Sequence, residues 1–270
     1  MADRQRGSTI VELLVVLVPI GLVAAGALTF FAVQNRTHVQ QDAAAALEDN
    51  LRAAMAMVTE TLRSAGCGVP KSNLGDWITW VPGFDNAPLI VSEGDGVPDR
   101  VSAAACAPQP VATLSGAANA GDTTLSLASN YAGVSIATLF NDSDKSLLWI
   151  GDTQHARVTG VSGNTVTVDV DPTATGNQGV ARRYLPGTPI TRIDVFTFEV
   201  VQDESTGVPW LRIDKHRGTE DPAAENISDL QITALDPGEQ YRITLTAKSR
   251  DPVTHAVLTH TLTSDMRLRN

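Results

Sequence analysis

The side chain that most needs a chemical explanation is Glu12, a carboxylate at the start of an apolar run in which no residue from Leu13 to Val33 is charged. An acid bordering such a run is costly unless it meets a cation, so its type and place point to a buried charge partner. Two cysteines, Cys67 and Cys106, follow the run; in an oxidising compartment they can form one disulfide, and otherwise they are two buried thiols. The acidic stretch Glu93-Gly94-Asp95-Gly96-Val97-Pro98-Asp99 offers calcium the oxygens of Glu93, Asp95 and Asp99, but it lacks the EF-hand spacing and reads more simply as a solvated turn. His38, His155, His216, His255 and His260 fall in no metal-ligand spacing, and neither a nucleophile elbow nor a phosphate loop occurs. Trp77, Trp80, Trp149 and Trp210 lie in β-prone runs, where aromatic rings usually fill a core rather than form a recognition patch. The expectation is a protein without catalytic residues, with no cofactor or metal beyond the weak calcium candidate.

The apolar run itself is long enough for a helix to cross the hydrocarbon core, which takes about 20 residues at about 1.5 Å rise. Arg4 and Arg6 precede it, and no comparable basic cluster follows closely, so the positive-inside bias puts the N-terminus in the cytoplasm and the rest outside. A secretory signal peptide would be shorter, and although Ala25-Gly26-Ala27 imitates its cleavage site, Leu28, Thr29, Phe30 and Phe31 follow. An ordinary signal anchor accounts for length and arginines but leaves Glu12 unexplained.

Behind Arg36 the spacing of Val39, Ala43, Leu47, Leu51, Ala54, Met55, Val58, Leu62 and Ala65 predicts that the helix continues with one apolar face. Asp42, Glu48, Asp49, Arg52, Glu60 and Arg63 occupy the other, and Gly66 and Gly68 offer a stop. Beyond residue 70 short β-prone runs alternate with Gly, Asp, Asn and Pro: 77–81, 88–91, 123–127, 147–150 and 165–168, with a tight hairpin at Gly163-Asn164. Ile193–Val200 and Pro209–Ile213 read as a hairpin across the Asp203–Val208 turn. The fold class is α+β: a long helix on a β-rich head. With 43% hydrophobic residues the chain can build a real core, and its net charge of −10 disfavours nucleic-acid partners.

Gly7-Ser8-Thr9-Ile10-Val11-Glu12-Leu13-Leu14 resembles the prepilin motif, with Ser8 where that family usually carries phenylalanine. The resemblance implies cleavage by prepilin peptidase between Gly7 and Ser8, N-methylation of Ser8, and a role for Glu12 in neutralising the buried ammonium of a neighbouring subunit. The run Thr61-Leu62-Arg63-Ser64-Ala65-Gly66-Cys67-Gly68, then Asp99-Arg100-Val101-Ser102 and the closing Met266-Arg267-Leu268-Arg269-Asn270, is similar to PilW-type minor pilins, relatives of the J-type minor pseudopilins of type II secretion. This likeness, which spans about two thirds of the chain, implies a pilin-like division: leader 1–7, transmembrane and assembly helix 8–35, amphipathic helix 36–66, and head 67–270 with an inserted β subdomain at about 107–182. It also implies a place in the inner membrane with the head periplasmic, then in a type IV pilus filament, possible surface exposure, and partnership with other minor and major pilins, prepilin peptidase and the inner-membrane assembly platform. A type II pseudopilin, or a tip adhesin carrying a ligand-binding module in the insertion, is the alternative.

Overall fold

The computed structural model describes residues 10–85, 87–94, 97–140, 146–216, 220–236 and 238–268. One helix, α1 (Ile10–Arg63), is followed by α2 (Leu74–Trp77), β1 (Leu89–Gly94), β2 (Val97–Cys106), β3 (Ala112–Leu114), β4 (Thr124–Ser129) and α3 (Ile136–Leu139). The chain continues through β5 (Leu147–Ile150), β6 (Gln154–Ser162), β7 (Thr165–Asp169), β8 (Pro189–Gln202) and β9 (Pro209–Asp214). It closes with β10 (Glu220–Glu225), β11 (Ile227–Asp236), β12 (Gln240–Arg250) and β13 (Val257–Arg267).

The 54 residues of α1 make a rod roughly 80 Å long. Its second half is built into the head: Leu47, Leu51, Ala54, Met55, Val58 and Leu62 are all buried, at the three- and four-residue spacing of one helical face. On the solvent side Arg52 pairs with Glu48 at 2.6 Å, one turn away. At the C-terminal end Gly66 takes a left-handed φ of 89° and donates its N–H to the Ala104 carbonyl at 2.9 Å, which turns the chain onto β2.

The buried face of α1 meets two antiparallel layers. One is the three-stranded sheet β11-β12-β13; the other is formed by β1, β2, the second half of β8, β9 and β10. Phe198, Leu211, Leu230, Ile243 and Leu245 close this core against the helix. Asp99, 3% exposed, joins the two sheets: its Oδ2 accepts the Ile232 N–H at 2.7 Å. Asp99→Ala leaves that amide buried without a partner and is expected to cost about 2 kcal/mol. Asp99→Asn keeps an acceptor and should cost less; urea unfolding of the two variants measures the difference.

Residues 112–193 fold around a second apolar core. The strands pair in the cycle β3-β4-β7-β6-β5-β8 and back to β3, so the six close on themselves and none of them leaves an edge along that ring. Leu114, Leu125, Leu127, Leu148, Val158 and Val166 fill it, and α3 adds Ile136 and Leu139 at one end, capped by Ser135 Oγ accepting from the Thr138 N–H. The region 107–182, expected as an inserted subdomain, is therefore not self-contained. Its sixth stave is the first half of β8, whose second half belongs to the sheet under α1.

The segment 77–81, expected as a strand, is instead the end of α2 and irregular chain. Leu74 and Ile78, one helical turn apart, are buried with Val81 and Phe84 against Ala104, Ile193 and Val195 on the face of β2 and β8 away from α1. Covering that sheet face outweighs the β propensity of Ile78 and Thr79.

Candidate membrane and assembly helix

From Leu13 to Val39 every side chain of α1 is exposed, Leu22 at 70% and Val23 at 73%, so about 40 Å of helix stands clear of the head, apolar as far as Val33. An 18-residue window here reaches a mean hydropathy of 2.5, and the helix is long and apolar enough to cross a membrane. The two threonine hydroxyls of this stretch are satisfied within the helix: Thr29 Oγ1 donates to the Ala25 carbonyl at 2.8 Å and Thr37 Oγ1 to Val33 at 3.0 Å. Pro19 lies inside the helix and withholds one ladder hydrogen bond without ending it. Gly7 and Ser8 fall outside the described residues, as does the side chain of Glu12, whose backbone lies in the first turn of α1.

Where α1 ends, Cys67 and Cys106 are joined by a disulfide, with Cα atoms 5.2 Å apart. The Cys106 N–H also donates to the Cys67 carbonyl at 2.9 Å, so the turn after the helix is fastened to the end of β2 twice. The next residue, Gly68, has φ 63°, and a Cβ there would stand 2.7 Å from Trp149 Cε3. Its carbonyl accepts from His155 Nε2 at 2.8 Å, which fixes the proton on Nε2. The His155 ring lies parallel to Trp149 and edge-on to Trp77.

Burial among these rings holds the His155 pKa below its ordinary 6.5, the Gly68 carbonyl opposing the shift. Between the folded value and 6.5 the unfolded chain binds more protons, so this contribution to stability is complete above 6.5 and is lost as pH falls through that window. His155→Gln keeps an N–H donor for Gly68 and does not titrate. It is expected to flatten the decline in melting temperature between about pH 7 and pH 5.

The structure also assembles a line that the sequence does not reveal. His216 Nδ1 lies 3.3 Å from Asp214 Oδ2, its Nε2 is 2.8 Å from Thr197 Oγ1, and that hydroxyl is 2.7 Å from Ser102 Oγ. The order carboxylate, imidazole, hydroxyl is that of a nucleophilic relay. Thr197 is 0% exposed and Ser102 7%, however, so no substrate carbonyl can reach the hydroxyl beside the ring. What the line does is satisfy polar groups buried between β2 and β8. Its only sequence trace is the Asp214–His216 spacing, because the Ser102–Thr197 pairing depends on strand register.

Among the calcium candidates, Asp95 and the side chain of Glu93 lie outside the described residues, and Asp99 is turned inward to the Ile232 amide. Trp77, Trp80, Trp149 and Trp210 are half-buried, the first three packed against the apolar cluster under α2. His255, with φ 58°, sits in the β12–β13 turn, and His260 lies on β13. No protein-family model, curated protein or solved structure matches this chain.

Proposed function

We propose that this chain is a minor pilin of the PilW type, which assembles through α1 into the priming or tip complex of a type IV pilus. The observation that carries this reading is the division of one continuous helix: Leu13–Val39 stands exposed, apolar as far as Val33, while the stretch from Leu47 onward is built into the head core. A lone anchor has no need of rigid coupling between its membrane half and its folded half. A filament subunit does, since its apolar half must pack against those of its neighbours while its head stays outside.

Cleavage after Gly7 would create an ammonium at Ser8, about one turn before Glu12. In a bundle of such helices that ammonium meets the Glu12 carboxylate of an adjacent subunit, and two charges that are each costly in apolar surroundings become tolerable as a pair. The chain is held in the inner membrane before assembly, with its head in the periplasm, a compartment that sustains the Cys67–Cys106 bond. The head meets neighbouring pilins; no catalytic step and no cofactor is assigned to it.

Mass spectrometry of the protein extracted from membranes tests this. A chain beginning at Ser8, methylated or not, is expected. An intact Met1, or a terminus near Leu28, overturns the reading.

A further inference from the structure

The head carries a groove of about 940 Å³ between one end of the three-stranded sheet, at Asn226, Ser228, Lys248 to Arg250 and Val257, and the tip of the β8–β9 hairpin. Ile243, Leu245 and Ala247 of β12 face α1, so by strand alternation Lys248 and Arg250 lie on sides other than the helix core, at the groove wall. Gln202, Asn226, Ser228 and Val257 help line it, and no aspartate or glutamate does among the described residues. Lys248 and Arg250 are exposed, and neither side chain has an ion pair or hydrogen bond among the described residues. Two unpaired cations share a groove on a chain of net charge −10.

Two carboxylates nearby are engaged elsewhere, while exposed Glu204 and Glu225 lie outside the groove lining. Asp203 on the hairpin tip accepts from the amides and hydroxyls of Ser205 and Thr206, which hold its pKa at about 2. Asp251 is buried and accepts from the Val253 and Thr254 amides and from Gln40 Nε2 at 3.0 Å. That last bond also locates the groove. Arg250 adjoins Asp251, which touches α1 at Gln40, one turn beyond Arg36, the first charged residue behind the apolar run. The groove therefore lies at the corner of the head where the helix leaves it for the membrane, and Val257, 62% exposed, adds an apolar contact there.

We propose that Lys248 and Arg250 hold the headgroups of anionic phospholipids in the leaflet beneath the head, while the chain waits in the membrane before assembly. An acidic head is repelled by an anionic leaflet as a whole, and a local pair of uncompensated cations at the point of closest approach reverses that repulsion where it matters. The inference rests on α1 spanning the membrane and not on Ser8 cleavage or filament formation.

The test uses the full chain reconstituted into vesicles of phosphatidylcholine alone or mixed with phosphatidylglycerol, with resistance to alkaline extraction reporting the span independently. Acylation of lysines by a membrane-impermeant reagent is followed by peptide mass spectrometry. Lys248 is expected to react about five-fold more slowly in the anionic vesicles, the factor corresponding to ~1 kcal/mol for one basic residue at such a surface. Exposed Lys71, and Lys215 in its 2.6 Å pair with Asp221, should be unchanged. Arg250→Gln should reduce the protection, and so should high salt. Equal Lys248 rates in the two vesicle types, equal protection of all three lysines, or full protection in Arg250→Gln overturns the proposal. The same protection from inorganic phosphate over phosphatidylcholine vesicles overturns it in favour of a small-anion site.

Discussion

Glu12→Ala is expected to leave the chain in the membrane at wild-type level and to lower its incorporation into filaments by roughly two to four orders of magnitude. That is the scale of 3–5 kcal/mol for removing one member of a buried ion pair, since the ammonium left behind has neither water nor a counter-charge. The alanine adds one more apolar residue to α1, so insertion has no reason to suffer. Glu12→Gln, with the same shape and no charge, should fail almost as badly if the partner is an ammonium and should succeed if the carboxylate merely accepts a hydrogen bond. Immunoblots of sheared filaments against membrane fractions separate these outcomes. Normal incorporation of Glu12→Ala would show that the carboxylate has no assembly partner.

The second large effect concerns the Cys67–Cys106 disulfide. The two residues are 39 apart, and a crosslink closing a loop of that length restricts the unfolded chain by about 4 kcal/mol. The closed loop contains α2, β1 and nearly all of β2, so its loss loosens both the cover over the outer sheet face and the strand on which the α1 turn rests. Replacing both cysteines by serine is expected to shift the urea midpoint of the head strongly downward, and a reducing agent should do the same to the unaltered chain while leaving membrane retention intact. An unchanged midpoint in both experiments would mean that β2 and α1 hold their places without the crosslink.

The closed ring of strands changes how the second half of the chain can be probed. Deleting 107–182 removes five of the six staves and strips both partners from Pro189–Ile193 of β8, whose continuation carries Phe198 into the core under α1. Loss of piliation in such a deletion would therefore report a damaged head as readily as a lost contact. Exchanging an exposed loop such as 171–177 leaves the staves in place. Because the ring is filled by leucine, valine and isoleucine side chains, any ligand carried by this region has to use its outer surface.

Much of this molecule could be read along the chain because local patterns carry it. The charge-free run from Leu13 to Val33, the three-and-four spacing through Leu62 and the hairpins at Gly163-Asn164 and Asp203–Val208 each depend on neighbours within a few residues, where backbone periodicity and turn chemistry act directly. The place of Glu12 at the edge of the apolar run is of the same kind, and so is the assembly reading that follows from it.

What the tertiary structure alone decided are the contacts between residues far apart in sequence. The pairing of both β3 and β5 with one half of β8 turns an expected insertion into a closed ring. The approach of Cys67 to Cys106 makes two cysteines a crosslink, and the inward turn of Asp99 removes it from a loop that resembled a cation site. The covering of a sheet face makes 74–78 a helical turn against its own β propensity, and strand register lines up Ser102, Thr197 and His216. None of these has a local signature, because burial of apolar surface and satisfaction of buried polar groups are settled over the whole fold at once, when each segment finds the surface that it must cover.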